Sequence, residues 1–155
     1  MLKSQGIESR DLANAEAAFV QVAPKPDNYS GTLQKKFFID TIFGPTGKFG
    51  AYGEATDVKV SKVPGGVDSE STSSSTSNNS KQRVGDLYVV SFTTLTPAMR
   101  ESDRKAYIST KIVGDGVFML VTGTTMGRFR SKEGLLRRVA ESFDCLEAPR
   151  SSLRR

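Results

Sequence analysis

Leu87-Tyr-Val-Val-Ser-Phe-Thr-Thr-Leu95, then Arg104-Lys-Ala-Tyr-Ile-Ser-Thr-Lys-Ile-Val113, Gly114-Asp-Gly116, Val117-Phe-Met-Leu-Val-Thr-Gly123 and Ser131-Lys-Glu-Gly-Leu-Leu-Arg-Arg-Val-Ala-Glu-Ser-Phe143 make up the stretch that decides the fold. The first run is rich in β-branched and aromatic residues and is apolar on both faces near its start, which suits a central strand. Thr96-Pro97 ends it. The second run places Ala106, Ile108, Thr110 and Ile112 on one face and Tyr107, Ser109 and Lys111 on the other. Asp115-Gly116 is a hairpin signal, and Val117 to Gly123 is a third strand. Three consecutive strands with short connections predict an antiparallel meander. The spacing of Leu135, Leu136, Val139, Ala140 and Phe143 then predicts a helix from near Ser131, with Ser131 as N-cap and Glu133 in the first turn. A helix with such a stripe must pack on a sheet. The predicted class is therefore α+β, an antiparallel β-sheet flanked by helices.

Upstream of this core, Asp57 to Val63 alternates Val58 and Val60 with Lys59 and Ser61, the pattern of a half-buried strand. Leu33 to Phe43, with Phe37, Phe38, Ile39, Ile42 and Phe43, reads as a buried strand between Tyr29-Ser-Gly31 and Gly44-Pro45. Phe19 to Val22 reads as a short strand, ended by Pro24-Lys-Pro26. Residues 1–18 are polar and Ala-rich. A short helix capped by Ser9 would have only a weak apolar face, so a flexible N-terminal arm is expected there. Ser69 to Gln82 contains no apolar residue and cannot offset its ordering entropy by burial, so it is predicted to be a disordered Ser-rich loop. Residues 148–155 form a basic C-terminal tail. One domain over residues 19–147 results, and a chain of 155 residues is long enough to bury a substantial core.

The net charge is +5, and the cations gather in the last third. Such a balance suits either a solvated basic surface or an acidic partner. Single-strand nucleic-acid platforms interleave aromatics with the charges. Here the aromatics occupy strand positions, so no nucleic acid is expected. With no His in the chain, the commonest general base is missing and a Cys-His nucleophile pair is excluded. The carboxylates Asp40, Glu54, Asp57, Asp86, Glu101, Asp103 and Asp115 are scattered, so neither catalysis nor a bound metal is expected. Cys145 is the single cysteine and reads as a small buried hydrophobe. Gly44-Pro-Thr-Gly-Lys-Phe-Gly50 has the glycines of a phosphate loop, but Phe49 follows Lys48 where Ser or Thr is needed, so it reads as a turn. No run approaches the length of a transmembrane helix, and the N-terminus has no apolar region of the signal-peptide kind.

The candidate contact residues are basic. Arg104 and Lys105 open a strand and suit either an anion or partner carboxylate, or protection of a sheet edge. Arg128-Phe129-Arg130 sets cations around an aromatic just before the helix. That pattern suits a docking patch anchored by Phe129, or Phe129 closing the core with solvated arginines beside it. Arg137 and Arg138 lie off the apolar face of the helix and extend the same set.

From Tyr88 to Phe143 the chain resembles the PsbP family, the extrinsic lumenal proteins of photosynthetic membranes. The resemblance lies in the order of parts. A hydrophobic strand ends in Thr (Tyr88-Val-Val-Ser-Phe-Thr-Thr-Leu-Thr96), and a basic pair opens the next strand (Arg104-Lys-Ala-Tyr-Ile-Ser-Thr110). Then come a glycine turn and strand (Gly114-Asp-Gly-Val-Phe-Met-Leu-Val121), an aromatic between arginines (Arg128-Phe-Arg130), and a helix closing in Ser142-Phe143. Family members usually have His after the arginine and Trp between the arginines, where this chain has Lys105 and Phe129. They usually have a helix where this chain has the Ser-rich run. The resemblance implies an α-β-α sandwich, shared with Mog-type proteins, and a non-catalytic extrinsic protein peripheral to the membrane in the chloroplast thylakoid lumen. It implies docking on the lumenal face of photosystem II and support for calcium and chloride retention at the oxygen-evolving cluster, those ions belonging to the partner complex. Divergent members serve photosystem I or the chloroplast NADH dehydrogenase-like complex. A Mog-type regulator of a small GTPase is a further alternative.

Overall fold

The computed structural model describes residues 7–11, 16–45, 47–50, 53–64 and 85–147. Six strands form one antiparallel sheet: β1 (Glu8–Asp11), β2 (Glu16–Pro24), β3 (Thr56–Lys62), β4 (Asp86–Leu95), β5 (Glu101–Val113) and β6 (Gly116–Thr125). Their spatial order is β1-β2-β6-β5-β4-β3. The predicted meander is its centre, with Val90 opposite Ala106 and Ile108 opposite Val121. The β5–β6 corner consists of Gly114 and Asp115, because Val113 pairs with Gly116. Gly114 has φ +58 and Asp115 does not share a positive φ. The glycine thus serves the first corner position, one step before the expected Asp115-Gly116 pair.

Strand alternation divides the core in two. Tyr88, Val90, Phe92, Ala106, Ile108, Val117, Met119, Val121 and Phe19 face one side, where Leu33, Phe38, Ile42 and Phe43 cover them. The Phe38 ring lies 4.8 Å from that of Tyr88, and the Phe43 ring 4.6 Å from that of Phe92. Tyr107, with the half-buried Leu87 and Val89, faces the other side beneath Phe129, Leu136 and Ala140 of the second helix, α2 (Met126–Glu141). The result is helix, sheet and helix in three layers. Each fully buried Phe, Ile or Met contributes about 1.5–3 kcal/mol by leaving water.

Leu33–Phe43 is helical rather than extended. Helix α1 (Lys35–Phe38) continues as a π-helical turn over Ile39–Phe43. Its buried residues Phe38, Ile42 and Phe43 recur four and five positions apart. Hydrogen bonding from i to i+5 brings residues five apart near one face. Lys36 and Asp40 form an exposed ion pair at 3.3 Å, and Thr41 Oγ1 donates to the Phe37 carbonyl at 2.7 Å. The Gln21 amide from β2 donates to the Thr41 carbonyl inside the π turn.

The N-terminal arm is also corrected in part. Residues 8–11 and 16–18 are sheet residues, since β1 pairs with β2 and β2 with β6. Lys48 and Arg10 both pair with Glu8, which fastens this edge to the 47–50 loop. The Ser-rich loop 69–82 and the basic tail 148–155 lie outside the described residues.

Candidate docking surface

Adjacent strand residues point to opposite faces, and that separates Arg104 from Lys105. Arg104 faces the α1 side, where its guanidinium carbon lies 5.9 Å from the centre of the Phe49 ring. Burial pulls its pKa below the usual arginine value. Lys105 faces the α2 side, with Nζ 4.6 Å from the centre of the Phe129 ring. The two cations therefore do not act as a pair. Lys105 belongs to the α2 layer and Arg104 does not.

Helix α2 begins at Met126, five residues before the predicted start. Thr125, extended at φ −65 and ψ 152, occupies the N-cap position but makes no capping side-chain hydrogen bond. The capping signal that the sequence offered is spent elsewhere: Ser131 Oγ donates to the Arg128 carbonyl at 2.8 Å within the helix. Arg128, Phe129 and Arg130 are consequently helical residues and not a loop. At this spacing Phe129 turns inward. It is 3% exposed and its ring centre lies 5.5 Å from that of Tyr107. As a core residue it is not available as a surface anchor; its role is to seat the helix that carries the arginines.

The remaining polar groups sort by helical position. Glu133 reaches back to accept from the Tyr107 hydroxyl at 2.9 Å. Burial first, and then the hydrogen bond to Glu133, push the Tyr107 pKa up to about 12. Arg137 donates to Glu141 at 2.7 Å, one turn on, and that hydrogen bond raises its pKa. Lys132 pairs with Glu16 of β2 at 3.4 Å. Arg128, Arg130 and Arg138 are exposed on α2. The structure thus gathers Lys105, Arg128, Arg130, Arg137 and Arg138 in one layer on a rigid scaffold. Exposed cations on a fixed helix can engage carboxylates at long range, with each contact modest in free energy.

One element at the same end of the sheet escaped the sequence reading. The β4–β5 connection is a tight turn in which Met99 N–H donates to the Thr96 carbonyl and Thr96 N–H to the Arg100 carbonyl, both at 2.8 Å. The Arg100 N–H donates to Thr96 Oγ1 at 3.2 Å. Met99 sits at φ +57 and is 67% exposed. The signal was present in Thr96-Pro97, since Pro favours the second position of such a turn. Nothing in the sequence announces a left-handed methionine.

Cys145 is a free, half-buried thiol, and burial pushes its pKa up. Among the described residues no group of three or more Cys, Asp or Glu side chains is placed to hold a metal ion. Among them, too, no helix is long and apolar enough to cross a membrane. No family model matches the chain, and no curated protein matches its sequence.

Proposed function

We propose that this chain is a non-catalytic docking protein of the PsbP type. It sits peripherally in the chloroplast thylakoid lumen, binds the lumenal face of photosystem II through its basic α2 layer, and supports retention of the partner's calcium and chloride. The observation that carries this reading is that exposed Arg128, Arg130 and Arg138 all stand on one helix, Arg128 and Arg130 to either side of the buried Phe129, with Lys105 against that ring at the helix's N-terminal end. The three-layer sandwich is the architecture that the family resemblance implies, and it supports the reading from the side of the fold.

The physics of such a surface sets its behaviour. Contacts between exposed cations and carboxylates contribute about 0–1 kcal/mol each and are screened over about 8 Å at physiological salt. Several acting together steer and hold a partner, and moderate salt releases it. A graded salt wash of isolated thylakoids, following this chain and oxygen evolution together, tests the proposal. Release by moderate salt, with oxygen evolution lost and then restored by calcium and chloride, is the expected outcome. Retention, or release without effect on oxygen evolution, would overturn it in favour of an accessory subunit or assembly factor of photosystem I or the NADH dehydrogenase-like complex.

A further inference from the structure

The connection from β2 to α1 folds over the face of the sheet opposite α2, and it is pinned at both ends. Where β2 ends, Lys25 N–H donates to the Asp115 carbonyl at 2.8 Å. A turn follows, in which Tyr29 N–H donates to the Pro26 carbonyl at 3.1 Å. Gly31 comes next at φ +99, a conformation that favours glycine. Leu33 is then buried in the core, and its N–H donates to the Tyr88 hydroxyl at 3.3 Å.

Between this connection and α1 lies a cavity. Its apolar lining is Pro26 with Tyr29 and Phe37, two half-buried aromatics that pack on the core and are held by it. At about 250 Å³ it is smaller than the roughly 300–1,000 Å³ of sites for drug-sized molecules, so it admits a single ring with its substituents. The polar lining includes the exposed side chains of Asn28, Thr32 and Gln34. Gln34 occupies the N-cap position of α1 and makes no capping side-chain hydrogen bond. The charged lining is Lys36 and Asp40, which neutralise each other at 3.3 Å. Asp27 and Lys35, their charged neighbours along the chain, do not line the cavity.

This combination selects among ligands. A cation or an anion finds no uncompensated charge in the lining. A wholly apolar molecule would strip water from two carboxamides and a hydroxyl and return no hydrogen bond. A neutral pyranose meets both halves of the lining. Its C–H face suits aromatic surface, and its hydroxyls donate and accept, as carboxamide and hydroxyl side chains do.

We infer that this cavity binds one hexopyranose unit of a neutral sugar, with the ring against Tyr29 and Phe37 and its hydroxyls on Asn28, Thr32 and Gln34. The unit has two possible sources, a free saccharide and the headgroup of a glycolipid. The inference goes beyond the docking reading and does not rest on it, since the α2 cations lie on the other face of the sheet.

The test titrates the full chain with methyl β-D-glucopyranoside and methyl β-D-galactopyranoside and follows backbone amide shifts by NMR. Saturable shifts at residues 28–37 are expected for at least one of them, with a dissociation constant on the order of 1 mM, as a ligand of few atoms allows. The constant should not change between low and moderate salt, because no ion pair forms. Asn28→Ala with Gln34→Ala, both exposed and outside the core, should keep the thermal unfolding midpoint and weaken binding about tenfold. A second arm floats the chain with phosphatidylcholine vesicles made with and without the corresponding hexosyl diacylglycerols. Flotation only with the hexosyl lipid, lost in the double variant, supports the site and assigns the headgroup as source. Binding of a hexoside without such flotation supports the site and assigns a free saccharide. Binding of neither form overturns the inference, as does binding that the double variant retains or that salt weakens. None of these outcomes bears on salt release from thylakoids, so the docking reading stands or falls separately.

Discussion

The Tyr107 hydroxyl donates to Glu133 at 2.9 Å, tying the centre of β5 to the middle of α2. Beside that bond the Tyr107 ring lies 5.5 Å from Phe129, and the Lys105 ammonium lies 4.6 Å from the centre of the same Phe129 ring. Apolar packing, a hydrogen bond and a cation–π contact thus converge where the helix meets the sheet, and they hold the arginine-bearing surface in a single orientation.

The pH dependence of stability follows from that tyrosine. Its pKa in the folded chain is raised to about 12, whereas an unperturbed tyrosine ionises near pH 10. A raised folded pKa means that folding favours the protonated phenol. The contribution is therefore fully present below about pH 10 and is lost as pH climbs from about 10 through about 12. Urea unfolding midpoints measured across that window should fall for the wild-type chain. Tyr107→Phe should be about 1 kcal/mol less stable near neutral pH and should lose less on going alkaline.

A close approach in the sheet gives a second prediction. A Cβ placed on Gly123 would stand 2.9 Å from the Ala106 Cβ on the neighbouring strand and 3.2 Å from the Lys105 carbonyl oxygen. Gly123→Ala should therefore cost about 1–3 kcal/mol by forcing β5 and β6 apart. Combining it with Ala106→Gly removes the opposing methyl, and denaturation of the double variant should show part of that loss recovered beyond additivity.

The helical lid on the other face offers a third. Ile42 is fully buried in the π turn, whereas Lys36 on the same segment is exposed. Ile42→Ala should cost about 2–5 kcal/mol and Lys36→Ala under about 0.5 kcal/mol. A strand in this place, with Lys36 and Ile42 on one face, would not separate the two so widely. Chemical denaturation of both variants decides it.

Charge removal on α2 supplies a fourth. Arg130→Gln with Arg138→Gln alters two exposed side chains and should leave the unfolding free energy within about 0.5 kcal/mol. Binding to salt-washed membranes should weaken at low ionic strength and depend less steeply on salt. Arg104→Gln should not flatten the salt dependence, because Arg104 lies on the opposite face of the sheet beside Phe49.

The strands that were legible in the sequence are those whose side chains alternate cleanly. In β5, Tyr107 and Ile108 fell on opposite faces as read, because one face of that strand meets α2 and the other the α1 layer. Leu33–Phe43 defeated the reading because a short apolar run suits a buried strand and a buried helix alike, although Phe38, Ile39, Ile42 and Phe43 recur at the i, i+1, i+4 and i+5 spacing of one helical face. A π turn accommodates that spacing and leaves no propensity signal of its own. The start of α2 was missed for a different reason. Its first turn has neither a capping hydrogen bond nor an acidic residue, while Ser131, a good cap by type, sits inside the helix. That misplacement put Phe129 in a loop and made it look available for contact. The split of Arg104 from Lys105 was readable from strand alternation alone, since neighbours in a strand never share a face.

The position of β2 has a consequence for how this molecule comes into being. It pairs with β6, so that Ala17 meets Gly123 across roughly 100 residues of intervening chain, while β4, β5, β6 and α2 are joined to one another by short connections. The carboxyl-terminal third can assemble on its own local contacts. The amino-terminal hairpin has no sheet to join until that third has formed, and the long closure slows its arrival. A chain delivered amino end first, from a ribosome or through a membrane pore, therefore presents Phe19, Val20 and Val22 without β6 beside them for most of its delivery. Its period of greatest exposure to aggregation and proteolysis ends with the docking of its earliest-made strands.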